Sequence, residues 1–295
     1  MEIGDWRATR DLNDLYQEIR ALGLETELAE LEAFGFTVIE DALDTQLRES
    51  LREAVVAEAE RRLSRKLDVE NETVHEGYKL IPYLLFKDPV IESALLNPKP
   101  LALITYLLGK SCLLSSMTSH FKGPNGGEIP LHSDSANGMP PTGLSPVSHV
   151  ANCNYALTDY TREGGALAIV PGSHRFFRQP TRHEIRLAPD VANPDAVALE
   201  VPAGSAVVWH GNTWHGSFPR DATPGLRINL AMYFCRQHIQ PQEAYKANVA
   251  ADMLERHGKD SRFATLMGSR SFYGWADEGP DLNGLGGPAG RSWHS

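Results

Sequence analysis

Cysteine is scarce in this chain, and no two cysteines stand close together. Cys112, Cys153 and Cys235 form no CxxC pair, which argues against a disulfide framework or a zinc knuckle and fits a reduced, cytoplasmic setting. Long apolar runs are also missing. The most apolar stretch, Leu101 to Met117, is broken by Lys110 and falls short of the roughly 18 uncharged residues that a membrane span needs. The opening Met-Glu-Ile-Gly-Asp-Trp-Arg lacks the basic-then-apolar pattern of a signal peptide. Positive charge is in deficit, with 28 Lys and Arg against 38 Asp and Glu, a formal net charge of −10. A general nucleic-acid binder is therefore not expected, because phosphate binding relies on concentrated basic residues. No internal repeat stands out.

What is present fits one domain spanning all 295 residues, 42% of them apolar, since all-β barrels with helical additions commonly fill this length. A helical amino-terminal part is expected over about 5–70, a barrel core over about 75–235, and a carboxy-terminal helix with a glycine-rich tail over 240–295. Helical composition runs from Asp11 to about Glu32. A second helix is expected from Asp44 to Lys66, with Leu47, Leu51, Val55 and Val56 toward the core. Asp88 to Leu108 reads as helix interrupted at Asn97-Pro98-Lys99-Pro100, and Pro241 to Arg256 as helix again. Between Leu113 and Phe234 short strands and turn signals dominate. The expected class is mainly β with flanking helices, a double-stranded β-helix or jelly-roll, cupin-like barrel.

The chemistry centres on His132-Ser133-Asp134 and the later His215-Gly216-Ser217. Alternate side chains of a strand share a face, so His132 and Asp134 can meet at one point. A distant histidine then completes a 2-His-1-carboxylate triad, the open-sided arrangement of non-haem Fe(II) oxygenases. Gly204 to His210 reads as a buried strand, Gly211-Asn212 as a turn and Thr213 to Ser217 as the returning strand, with His215 and Ser217 on one face. His210 is the rival third ligand. His215 fits better, having Ser217 two residues on and Arg227 beyond it.

From Leu226 to Phe234, Arg227, Asn229, Ala231 and Tyr233 alternate with Ile228, Leu230, Met232 and Phe234. An antiparallel neighbour would bring Arg227 to the face of His215 and Ser217, where a guanidinium can grip the far carboxylate of an anion chelated at the metal.

These residues resemble the phytanoyl-CoA dioxygenase family of Fe(II)- and 2-oxoglutarate-dependent oxygenases. Gly164-Gly165-Ala166-Leu167-Ala168-Ile169-Val170-Pro171-Gly172-Ser173-His174 is similar to the family's "NG-x-L-x-x-x-PGSH" stretch. Gly204 to Ser217 is similar to its "GD-x-x-x-F-H-G-x-x-x-H-x-S" stretch, with Gly204-Ser205 in place of Gly-Asp, and Leu31 to Ile39 to its opening strand.

The resemblance implies that His132, Asp134 and His215 hold Fe(II), and that Arg227 with Ser217 clasps the distal carboxylate of 2-oxoglutarate. Lys79 and Asn154 fall where the family has further co-substrate contacts. It also implies use of O2, release of succinate and carbon dioxide, and oxidation of a C–H bond, with hydroxylation the expected outcome. Because Asp134 is present, the halogenase variant, in which a small residue replaces the carboxylate, is not expected. Two rivals are a cupin-type metalloenzyme that does not use 2-oxoglutarate and a non-catalytic barrel scaffold.

His174 is expected in a turn, and His120, His149, His183 and His238 in structural or surface roles. Trp209 and Trp214 are expected in the core or a pocket wall. Leu80, Ile81, Tyr83, Leu84, Leu85 and Phe86 hint at a small, apolar substrate. The loop Ser135 to Pro146 is a candidate lid, and the tail from Gly274 a segment disordered or packed on another copy of the chain in a homo-oligomer.

Overall fold

Left-handed glycines and helix caps divide the amino-terminal third of the chain. In the computed structural model, which describes residues 7–74, 78–136, 143–258 and 261–269, the single helix expected over 11–32 is two: α1 (Arg7–Ala21) and α2 (Glu25–Phe34). They part at Gly23, whose φ of 69° ends a helix at little steric cost. The strand expected from Leu31 begins only as β1 (Phe36–Ile39), because its first half completes α2. Asp44 caps α3 (Thr45–Leu63) by accepting from the Leu47 N–H, which matches expectation. After β2 (Tyr78–Ile81), Asp88 and Asn97 cap α4 (Pro89–Leu95) and α5 (Pro98–Leu108). Each of these helices opens with a proline, whose missing N–H would have had no helical partner there.

The strands follow: β3 (Leu113–Lys122), β4 (Ile129–His132), β5 (Val150–Ala156), β6 (Leu167–Ile169), β7 (Val197–Leu199), β8 (Ala206–His210), β9 (His215–Ser217) and β10 (Arg227–Cys235). They end in α6 (Tyr245–Asn248), α7 (Ala251–His257) and α8 (Arg262–Leu266), short helices where one was expected. All strand pairings are antiparallel. A six-stranded sheet has the order β1-β8-β5-β10-β3-β2, and a four-stranded sheet the order β4-β9-β6-β7. The two sheets face one another as in a jelly roll, and the described strands do not close into one continuous barrel.

Alternation assigns the two faces of the larger sheet. Ile228, Leu230, Met232 and Phe234 pack outward with Tyr155, Cys153, Val208 and Phe121 against Leu51, Val55, Ile91, Leu103 and Ile104 of the helices. Each such aliphatic side chain contributes about 1.5–3 kcal/mol on full burial. The inward face meets the smaller sheet, with Val207 and Trp209 against Leu167 and Ile169. Among the described residues no helix is long and apolar enough to cross a membrane. The tail from Gly274 and residues 137–142 of the candidate lid lie outside the described residues.

One expectation about connectivity is corrected. The segment after the Gly211-Asn212 turn does not return along β8. Instead, β9 crosses to the other sheet and pairs with β4 and β6, so His215 reaches its position by changing sheets.

Candidate active site

The register of β4 and β9 sets His132 directly opposite His215, with ring centroids 4.4 Å apart. Gly216 permits this approach, since a Cβ there would lie 2.3 Å from the Ile129 carbonyl oxygen. Asp134 arrives differently from the expected strand alternation. β4 ends at His132, and Asp134 opens a 3-10 turn, Asp134–Ala136. The turn still aims the carboxylate at both rings, with Oδ1 3.5 Å from His132 Nε2 and Oδ2 3.4 Å from His215 Nε2. One donor atom from each of the three residues lies within 4.8 Å of the others.

The protonation pattern suits a metal. His132 Nδ1 lies 2.8 Å from the Pro130 carbonyl oxygen and His215 Nδ1 3.0 Å from that of Thr213. A carbonyl only accepts, so each Nδ1 carries the proton and each Nε2 offers a lone pair to the centre. Burial keeps His215 neutral, against the pull of Asp134. Two neutral imidazoles and a carboxylate with an open side are the donor set that Fe(II) takes. His215 and Asp134 are largely covered, whereas the His132 side chain is 44% exposed, so the centre opens on that side.

Supporting contacts come from residues that the sequence did not single out. Asn152 donates to Asp134 Oδ2 at 2.8 Å. Gln179 bonds the backbone of Ser133 twice, accepting from its N–H at 3.0 Å and donating to its carbonyl at 2.7 Å. The preceding Arg178 accepts from Trp214 Nε1 through its carbonyl at 2.9 Å, and its guanidinium lies over the indole. One dipeptide thus touches the residue between two candidate ligands and the residue beside the third. Trp209 packs its ring 4.9 Å from His215 within a buried apolar cluster, in line with the core or pocket-wall position expected for it.

Arg227 is buried on the inward face, its guanidinium 5.1 Å from the centre of the Tyr160 ring. Neither its Nε nor the Tyr160 hydroxyl has a hydrogen-bond partner, and no carboxylate pairs with Arg227 among the described residues. An orphaned guanidinium N–H beside an orphaned hydroxyl is the environment an anion would satisfy.

Its cross-strand neighbour Lys122 is also fully buried. Lys122 Nζ donates to the Gly127 carbonyl at 2.9 Å, Ser217 Oγ at 2.6 Å and the Phe218 carbonyl at 2.7 Å. Burial, with Arg227 and Arg220 close by, pushes this ammonium down to about 7, against the opposing charge of Glu128. A signal for Lys122 lay in the alternation of Ser116, Thr118, His120 and Lys122 along β3. His120, expected in a structural role, lies on this same inward row, where burial and the nearby Arg227 and Lys122 push it down to about 3.

Asn154 lies in register with Ala231, on the inward face of the sheet. Lys79 does not join it. It pairs with Phe121, a residue of the outward apolar layer, and the inward position on β2 goes to Leu80, opposite His120. His210 is separate from the triad, its ring 5.6 Å from that of His174. Those two histidines help line a distinct cavity of about 320 Å³ with Leu31, Leu107 and Phe177.

The chain is similar in sequence and in fold to known proteins. The chain is 30% identical over 173 residues to dioxygenase af480 of Aspergillus fumigatus, covering 59% of this chain and 53% of that protein. It is 26% identical over 203 residues to the ectoine dioxygenase of Bordetella bronchiseptica, covering 57% of this chain and 65% of that protein. The chain spans about half the length of the fungal relatives it matches. In fold it is similar to HygX from Streptomyces hygroscopicus, solved with nickel, 2-oxoglutarate and hygromycin B bound. That likeness has a TM-score of 0.58 at 19% identity and covers 74% of this chain and 89% of HygX. The phytanoyl-CoA dioxygenase (PhyH) family model matches residues 31–227, and the chain belongs to that family.

Proposed function

We propose that this protein is an Fe(II)- and 2-oxoglutarate-dependent dioxygenase that hydroxylates a C–H bond of a small organic molecule. The observation that carries the reading is the convergence of His132, Asp134 and His215 on one point, with the unpartnered guanidinium N–H of Arg227 buried on the inward face of the other sheet. His132, Asp134 and His215 would hold the iron, and Arg227 with Ser217 would receive the distal carboxylate of 2-oxoglutarate.

When bound, the iron with 2-oxoglutarate and O2 supplies the oxidising power, at the expense of decarboxylating the co-substrate to succinate. The protein's own work is to bind, orient and exclude water. Backbone carbonyls fix both imidazole tautomers, Asn152 restrains the ligand carboxylate, and the apolar layer of Val207, Trp209, Leu167 and Ile169 closes one side of the interior. Arg227 orients the co-substrate by charge and by paired N–H donors. The exposed flank at His132 leaves room for a substrate. Leu80, on the inward position of the edge strand and 48% exposed, supports an apolar portion on that molecule. Similarity to an ectoine dioxygenase, and in fold to HygX with hygromycin B bound, supports a small molecule over a macromolecular substrate.

Anaerobic titration of the Fe(II)-loaded protein with 2-oxoglutarate tests the reading. A weak visible charge-transfer band is expected in wild type and lost in His215→Ala. Iron-loaded protein that develops no band would overturn the use of 2-oxoglutarate.

A further inference from the structure

Lys122 is a fully buried cation without a carboxylate partner among the described residues, and burying such a charge needs compensation. An ammonium has three N–H donors. Here all three have acceptors, at Gly127 O, Ser217 Oγ and Phe218 O, within 2.6–2.9 Å. No donor is left for a ligand, so any hydrogen-bonded influence of Lys122 on binding must pass through one of these acceptors. Two are backbone carbonyls. The third is the serine hydroxyl, which accepts from Lys122 and donates to nothing among the described residues. Its proton is therefore turned away from Lys122. The neighbouring strand places Arg227 directly across from Lys122 on the same face of the sheet.

We propose that Lys122 is a positioning residue for the co-substrate: by occupying a lone pair of Ser217 Oγ, it directs the serine hydroxyl proton toward the carboxylate that Arg227 receives. This rests on the 2-oxoglutarate reading above. Charge favours it as well, because Lys122, Arg227 and Arg220 lie close enough to repel one another, and an incoming carboxylate relieves that repulsion. The route of the lysine stem depends on Gly165. Its φ is 75°, and a Cβ there would come within 2.7 Å of Lys122 Cδ, which gives a physical reason for glycine in the Gly164-Gly165 stretch.

The test uses Ni(II)-loaded protein and calorimetric titration with 2-oxoglutarate in wild type, Lys122→Met, Ser217→Ala and the double variant. Lys122→Met is expected to weaken binding about tenfold or more, the scale of a lost charge-assisted hydrogen bond. If Lys122 acts through Ser217, the double variant is no weaker than the weaker single variant. Pyruvate, which keeps the chelating 2-oxo acid and lacks the distal carboxylate, is expected to bind wild type and Lys122→Met equally.

Wild-type affinity in Lys122→Met, additive losses in the double variant, or an equal loss with pyruvate would each overturn the proposal. Should Lys122→Met fail to fold, judged by melting of the metal-free protein, Lys122→Leu, which likewise has no donor, enters the same cycle with the same expectation. A wild type that takes up Ni(II) but no 2-oxoglutarate overturns the functional reading and this inference together. A wild type that binds it while the lysine variants match it overturns the inference alone.

Discussion

The two faces of β10 differ in how completely they are satisfied. Outward, Ile228, Leu230, Met232 and Phe234 are buried against helices and need nothing from outside the chain. Inward, Arg227 Nε is buried without a partner, as are Tyr160 OH and Trp209 Nε1 on neighbouring elements. Apolar groups are completed by contact alone, whereas buried polar groups require specific partners. Strand alternation thus lets one nine-residue element carry the fold on one side and an unfinished polar site on the other.

Substitutions on the two faces should separate stability from chemistry. The largest effect is expected for Asp134→Ala, which removes one of three candidate ligands. Turnover should be abolished and Fe(II) binding severely weakened, with melting of the metal-free protein near wild type. Retained turnover would break the assignment of the inward face. Next is Arg227→Ala, expected to raise the 2-oxoglutarate concentration needed for half-maximal rate about a hundredfold, from loss of a bidentate charged contact. Steady-state kinetics with 2-oxoglutarate varied read this directly.

On the outward face, Leu230→Ala should lower unfolding free energy by about 2–5 kcal/mol, measured by urea denaturation. The protein that remains folded should keep wild-type metal affinity, and a matching loss of affinity would show that the faces are not independent. Smallest is Glu58→Gln on α3. The Arg61 and Arg62 guanidinium groups hold the Glu58 carboxyl at about 2, against the cost of burial. A carboxyl depressed on folding stabilises the protein above its unfolded value near 4.5 and loses that contribution as pH falls toward 2. Glu58→Gln should therefore lower stability at neutral pH by on the order of 1 kcal/mol, discounted for the exposed Arg61. The difference from wild type should shrink as pH falls from about 4.5 through 2 in acid denaturation.

Much of the fold was legible where local rules operate. Asp44, Asp88 and Asn97 announce helix starts through side chains that accept from nearby N–H groups. The alternation from Leu226 to Phe234 separates apolar and polar faces before any partner strand is known. The helix expected across 11–32 failed at one residue, because Gly23 can take a backbone conformation that composition does not reveal. In the site, His132, Asp134, His215 and Arg227 were legible as a spaced motif. Asn152, Gln179 and Lys122 were not, since each acts on a residue far from it in sequence. Lys79 was expected among the co-substrate contacts, and its pairing with Phe121 puts it on the other side of the sheet.

By itself the sequence determined which side chains could bind a metal and an anion, and which face of each strand would seek apolar contact. Those properties belong to residue chemistry and to the two-residue period of extended backbone. The tertiary structure alone decided that β9 leaves β8 for the other sheet, that Gly216 lets His215 close on His132, and that Lys122 reaches Ser217 between the sheets. Contacts across a sandwich are set by register and packing, which no local pattern encodes.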